Sequence, residues 1–154
     1  FALYGWDDAL DLPNRWPGWS HWPMWGRVYV GGDGKISQFT TDSYTHSGGR
    51  QRMLVRTGHL SEQGEIRIDN TRLRLHRGVG SNEVDPTISI RCNRDNKGFG
   101  RWVRKGLGKA GDRFMMPEFG GFGMGHTWQF EFQITDDAAI EISRMEVLVT
   151  QIGR

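Results

Sequence analysis

Glu65-Ile-Arg-Ile-Asp-Asn-Thr-Arg-Leu-Arg-Leu-His76 sets apolar against basic side chains almost residue by residue. Ile66, Ile68, Leu73 and Leu75 fall on one side, and Arg67, Arg72, Arg74 and His76 on the other. A period of two is that of a strand whose faces meet different surroundings, and the pattern slips near Asp69-Asn70, where a break is expected. The alternation returns in Thr87 to Cys92, with Ile88, Ile90 and Cys92 inward, and in Thr127 to Ile134, with Trp128, Phe130, Phe132 and Ile134 inward. Ala139 to Thr150 alternates through Ile140 and Ile142, slips, and resumes at Met145, Val147 and Val149, which predicts a bulge near Ser143-Arg144. Arg27 to Val30 leads through Gly31-Gly32-Asp33-Gly34 into Lys35 to Thr40, a hairpin signal, and Arg50 to Arg56 reads as a further strand. No dozen residues free of Gly and Pro carry a helical apolar stripe. The expectation is an all-β fold, an antiparallel β-sandwich, with most of the 22 glycines in turns and bulges and Gly120 to Gly125 as a flexible surface or interface loop.

The 154 residues suit one core-bearing domain, and the chain's start at Phe1 is read as the start of a piece of something longer. No run of about 18 apolar residues is present, so no membrane-spanning helix is expected. Cys92 is the single cysteine, which rules out an internal disulfide and a multi-cysteine zinc site and fits assembly in a reducing cytoplasm. Charge is unevenly spread. Residues 50 to 113 hold 15 Lys or Arg against 7 Asp or Glu, and the rest of the chain holds 5 against 11. A basic middle attracts nucleic acid or an acidic protein face, or is simply a solvated strand face.

The first 26 residues read differently from residues 27–154. Trp16, Trp19, Trp22 and Trp25 recur every three residues among Pro13, Pro17 and Pro23, which predicts an extended, stiff, Trp/Pro-rich amino-terminal arm over 1–26 ahead of an all-β structural domain over 27–154. Such tryptophans either pack against a neighbouring subunit or stack on sugars or bases.

No constellation points to catalysis. Gly106-Leu-Gly108-Lys-Ala-Gly111 matches a dinucleotide-binding pattern but is followed by Asp112-Arg-Phe-Met-Met-Pro117, which is no amphipathic helix. His21, His46, His59, His76 and His126 lack ligand spacing, so neither a metal nor a cofactor is expected. Asn93-Arg-Asp95-Asn-Lys-Gly98 fails as a calcium loop because Lys97 and Arg104 occupy ligand positions. With Trp102 the same stretch is similar to an Asp-box turn, which is structural. Asp136-Asp137 reads as a turn between the last two strands, and no nucleophile elbow surrounds any Ser.

Motif order carries a resemblance. Trp25-Gly-Arg-Val-Tyr-Val30, Gly32-Asp33-Gly34-Lys35-Ile36, Thr41-Asp42-Ser43-Tyr44-Thr45 and Gly48-Gly-Arg50 are followed by Asp85-Pro86-Thr-Ile-Ser-Ile-Arg91, Asp95, Gly98 and Arg101-Trp102. Leu107-Gly108-Lys-Ala-Gly111, Phe130 to Asp136 and Ile140 to Val147 complete the series. Over Trp22 to Val149 this order resembles the carboxyl-terminal part of the tail-hub or nozzle proteins of short-tailed phages, the packaged-DNA stabilization family. The resemblance implies a non-enzymatic virion protein, assembled in the host cytoplasm as a homo-oligomeric ring below the portal. Such a ring helps close the DNA channel and contacts portal or adaptor and other tail proteins. On this reading Trp16, Trp19, Trp22 and Trp25 are the subunit-interface residues. Arg67, Arg72, Arg74, Arg101, Arg104 and Lys105 face the DNA channel or an acidic partner, with non-specific contact to packaged DNA. The competing expectation is a carbohydrate-binding β-sandwich module of a receptor-binding tail protein, with aromatic platforms for sugar rings.

Overall fold

The alternation of Glu65 to His76 becomes the centre of an 18-residue strand, Leu60–Arg77, in the computed structural model. The structure describes residues 2–7, 9–10, 12–16, 18–32, 34–40, 43, 45, 49–77, 85–108, 114–138 and 140–152. In chain order the strands are β1 (Ala2–Asp7), β2 (Leu12–Asn14), β3 (Ser20–Met24), β4 (Arg27–Gly32), β5 (Lys35–Gln38) and β6 (Gln51–Arg56). They continue as β7 (Leu60–Arg77), β8 (Thr87–Arg94), β9 (Val103–Gly106), β10 (Phe114–Met115), β11 (Glu118–Ile134) and β12 (Ile140–Gln151). No helix occurs among the described residues, and hence none long and apolar enough to cross a membrane.

The fold is all-β and antiparallel, a β-sandwich. Strands β6 and β7 follow one another along the same edge of β11, giving a long two-stranded ribbon. On the opposite edge of β11, Trp128 to Gln133 pair with β8, which in turn pairs with β9. Strand β12 pairs with β7, while β1 and β2 extend the sheet beyond β6. The ribbon changes register between Gly120 and Gly123 and again between Gly125 and Thr127, so β11 serves both halves of the sheet as they close on one core. That core holds Ile66, Ile68, Leu73 and Leu75 of β7, Ile88 and Ile90 of β8, Leu107, and Phe119, Trp128, Phe130, Phe132 and Ile134 of β11. Ten of these are inward positions that alternation selects; Leu107 and Phe119 are not among them, and Cys92, expected inward, is only half-buried at the edge of this core. Each fully buried Ile, Leu or Phe contributes roughly 1.5–3 kcal/mol relative to exposure.

Both expected slips are bulges. Asp69 is passed over in the pairing of β7 with β12, and Ser143 in the pairing of β12 with β7. Asp136-Asp137 forms the bend between β11 and β12, where Asp136 accepts hydrogen bonds from the backbone N–H and hydroxyl of Thr87, at 2.6 and 2.9 Å. Two expectations are corrected. Gly120 to Gly125 is strand rather than loop: Gly121 and Gly123 have φ of 80° and 82°, which lets β11 bulge and stay paired with β7. The amino-terminal segment is extended but not a free arm, because β1 and β2 are strands of the main sheet and β3 joins β4 and β5 in a separate three-stranded sheet. A boundary at 26/27 would cut the β3–β4 hairpin in its turn. Phe1, Asp8, Pro17, Asp33, Thr41, Asp42, Tyr44, His46, Gly48, Lys109 to Arg113 and Ala139, which enter the sequence reading, lie outside the described residues.

Candidate functional site

Met24 pairs with Arg27, leaving Trp25-Gly26 as a two-residue turn with φ of 52° and 71°, the combination a type I′ hairpin requires. Asn or Asp normally fills the first position. A bulky residue there costs about 1–2 kcal/mol of backbone strain, yet Trp25 is 82% exposed at the tip of the hairpin. Trp19 is 67% exposed, with the Arg15 guanidinium 5.0 Å from its ring centre. Trp22 and Trp16 are half-buried. Trp22 lies opposite Tyr29 and packs over Gly31, where any side chain would meet its ring. Trp16 stacks on Phe39 with centroids 6.2 Å apart and planes 8° from parallel. Together Trp16, Trp19, His21, Val30 and Phe39 line an open groove of about 420 Å³. The four sequence-predicted tryptophans therefore belong to one small sheet and its flanks, two of them held by it and two presented outward.

The six predicted cations do not share a surface. Arg67, Arg72 and Arg74 project from the outer side of β7. Arg67 pairs with Asp69 at 2.5 Å, and Arg72 pairs with Glu118, which also accepts a 2.8 Å hydrogen bond from Asn70. The Asn70 bond, with Arg72 beside it, holds the Glu118 carboxyl below the usual range. Asp69 is lowered in the same sense, first by the Thr150 hydroxyl and then by Arg67. Lys105, opposite Ile88, turns toward the core edge with its ammonium 5.9 Å from the Phe119 ring centre. Arg104 stands opposite Ser89 on the other face, and Arg101 precedes Trp102 in the exposed approach to β9.

That other face carries a cluster that sequence reasoning missed. Arg56, Glu131 and Arg91 lie opposite one another across β6, β11 and β8. Glu131 is fully buried. Arg56 Nε donates to its Oε1 at 2.6 Å, and Arg91 Nε and Nη2 both reach Oε2 at 2.6 Å. Beside them Arg52 Nε donates to Gln133 Oε1 at 2.9 Å. Two aromatic rings roof the row: Arg91 lies 4.3 Å from the Trp102 centroid and 4.8 Å from that of Phe99, with Arg56 5.0 Å from Phe99 and Arg52 5.7 Å from Trp102. Gln129-Phe-Glu131-Phe-Gln133 reads as a solvated outer face; Glu131 and Gln133 are nevertheless buried on it, beneath the arginines and the loop that carries Phe99 and Trp102, while Arg56 at its margin stays exposed.

The Asp95 turn positions that loop. Asp95 and Asn96 have φ of 51° and 55°, and the Asp95 carboxylate accepts the backbone N–H groups of His126 and Thr127 at 2.8 and 3.0 Å. These bonds hold its carboxyl below the ordinary range. Its role is structural, as the sequence implied. Among the described residues no three His, Cys, Asp or Glu converge as metal ligands. Leu107 and Gly108, at the head of the glycine-rich stretch, follow β9 with Leu107 buried and its N–H on the Pro86 carbonyl at 2.8 Å. No known protein family's sequence model matches the chain, and no curated protein is similar enough to be matched to it.

Proposed function

We propose that the chain is a non-enzymatic structural subunit of a ring in the tail hub or nozzle of a short-tailed phage, below the portal, where it helps close the DNA channel and attach distal tail parts. The observation that carries the assembly role is the β3–β4 hairpin, which holds Trp25 in strained backbone and exposes it with Trp19. Strain and exposed aromatic area in one place are costs to an isolated chain and are offset when a neighbouring subunit covers them. The order of short motifs from Trp22 to Val149 supplies the phage assignment, and an all-β body fits it. Its place would be the virion, next to portal or adaptor proteins. Sedimentation velocity over a concentration series tests assembly: a closed oligomer is expected, reduced to monomer in the Trp19→Ser/Trp25→Ser variant. Trp19 and Trp25 still open to solvent in the assembled particle would sink the reading.

The groove beside Trp16, Trp19 and Phe39 favours a second reading, a carbohydrate-binding module of a receptor-binding tail protein. Glycan binding by a persistent monomer, abolished by Trp19→Ala, would put that reading first.

A further inference from the structure

We propose that the outer face of β6, β11, β8 and β9 binds the phosphodiester backbone of nucleic acid through Arg56, Arg91, Arg101 and Arg104, with Phe99 and Trp102 as stacking surfaces. The argument begins with charge. Arg56 and Arg91 share the one buried carboxylate of Glu131, so this row keeps a positive charge that its own partner does not cancel. Arg101 and Arg104 stand exposed on the strand and loop beside it, and neither has an ion pair among the described residues. On the opposite surface Arg67 and Arg72 each have a carboxylate of their own, Asp69 and Glu118, which would face and repel any phosphate brought there. Arg74 also stands exposed on the β7 face with no ion pair among the described residues, but its neighbours Arg67 and Arg72 are neutralised, whereas Arg56, Arg91, Arg101 and Arg104 have the single carboxylate of Glu131 among them.

Geometry adds to charge. Glu131 engages the Nε side of each guanidinium and fixes its plane, leaving the Nη1 donors free of it. The Arg56 side chain is 53% exposed, whereas that of Arg91 is 26% exposed beneath the two rings, so the row is open to a ligand chiefly at Arg56 while Arg91 adds its charge from below. Partly exposed aromatic rings interleaved with arginines are what single-stranded nucleic acid uses for base stacking, whereas an acidic peptide has no need of them. A duplex would use the same guanidinium groups on its phosphates, with less from Trp102.

Fluorescence anisotropy with short labelled single-stranded and duplex DNA, titrated with the whole chain between about 50 and 200 mM salt, tests this. The expected result is a linear fall of log affinity with log salt, whose slope drops by about 2 in Arg101→Gln/Arg104→Gln, one for each lost phosphate contact. Arg67→Gln/Arg72→Gln is expected to leave the slope unchanged. Trp102→Ala should weaken single-strand binding about tenfold and duplex binding less. Residues 101 and 104 are exposed, and unchanged thermal melts establish that the variants fold. Binding without salt dependence, an equal loss in the Arg67/Arg72 variant, or equal competition by polyglutamate would each overturn the proposal, the last in favour of an acidic protein partner. This inference does not depend on assembly. A monomer that binds DNA in this way supports it while refuting the ring, and a ring without DNA affinity refutes this inference alone.

Discussion

Replacing Glu131 by Gln keeps the shape of the side chain and removes the single negative charge between two guanidinium groups. The cost follows from how unequally those groups are exposed. Arg91 is mostly covered, beneath Trp102 and Phe99, and donates twice to Oε2. Charge-assisted hydrogen bonds of this kind contribute about 1.5–3 kcal/mol, and leaving one member of a buried pair without its partner costs about 3–5 kcal/mol. Arg56 is more than half exposed, so its share is discounted to about 0–1 kcal/mol. We therefore expect Glu131→Gln to destabilise the fold by about 3 kcal/mol, or roughly 6–12 °C in melting temperature for a chain of this size. Arg91→Gln should cost nearly as much and Arg56→Gln about 1 kcal/mol or less. Urea unfolding near neutral pH, followed by tryptophan fluorescence and circular dichroism, measures all three. The same reasoning expects Arg56→Met/Glu131→Met/Arg91→Met to lie close to wild type, because an apolar row needs no compensating charge. A Glu131→Gln cost under about 1 kcal/mol, or equal effects at Arg56 and Arg91, would show that solvent rather than the aromatic roof governs the row.

Gly123→Ala should cost about 1–2 kcal/mol, because φ there is 82°, although Arg94, whose tip would lie 2.5 Å from the new methyl, can swing away. Gly58→Ala, with open space around it, is the control and should be near neutral in the same urea experiment. The hydrogen bonds that lower Asp95 in the folded state imply stability that is present above its unfolded value of about 3.9 and lost as pH falls through the lower folded value. Urea midpoints of wild type and Asp95→Asn should thus differ most near pH 6 and converge in strong acid; parallel curves would refute the assignment. Burial pushes the Cys92 thiol up, so a thiol reagent should react about tenfold more slowly with the folded chain than with the urea-unfolded one. Equal rates would place Cys92 on an open surface.

Most of the sandwich was legible because its inward positions are written locally. Ile66, Ile68, Leu73 and Leu75 lie in one short stretch, and the phase slips at Asp69 and Ser143 appear in the sequence as breaks in alternation before they appear as bulges. Glycine content misleads at Gly120 to Gly125 for a physical reason. Glycine density signals a turn when the chain is considered alone, but here β7 supplies hydrogen-bond partners along almost the whole stretch, and Gly121 and Gly123 use their freedom to bulge within a strand. The amino-terminal strands were hidden in a similar way. Ala2 to Gly5 have no alternation strong enough to announce a strand, and only pairing with Leu54 to Gln51 makes them one.

The candidate binding face was illegible because it depends on separation in the chain. Charge counting gathered Arg67, Arg72, Arg74, Arg101, Arg104 and Lys105 by their neighbourhood in sequence, whereas strand parity and register distribute them over different surfaces. Parity alone would have put Arg56, Arg91 and Glu131 outward, which is correct, but nothing local says that three outward positions on β6, β8 and β11 stand in one row. Nor does anything local say that the roof over Glu131 comes from Phe99 and Trp102. That roof is reached through the Asp95 turn, whose carboxylate is tied to the backbone of β11 at His126 and Thr127. The Asp95 turn thus carries two aromatic rings onto a charged sheet face, and a fault at Asp95 should reach the arginine row without touching it.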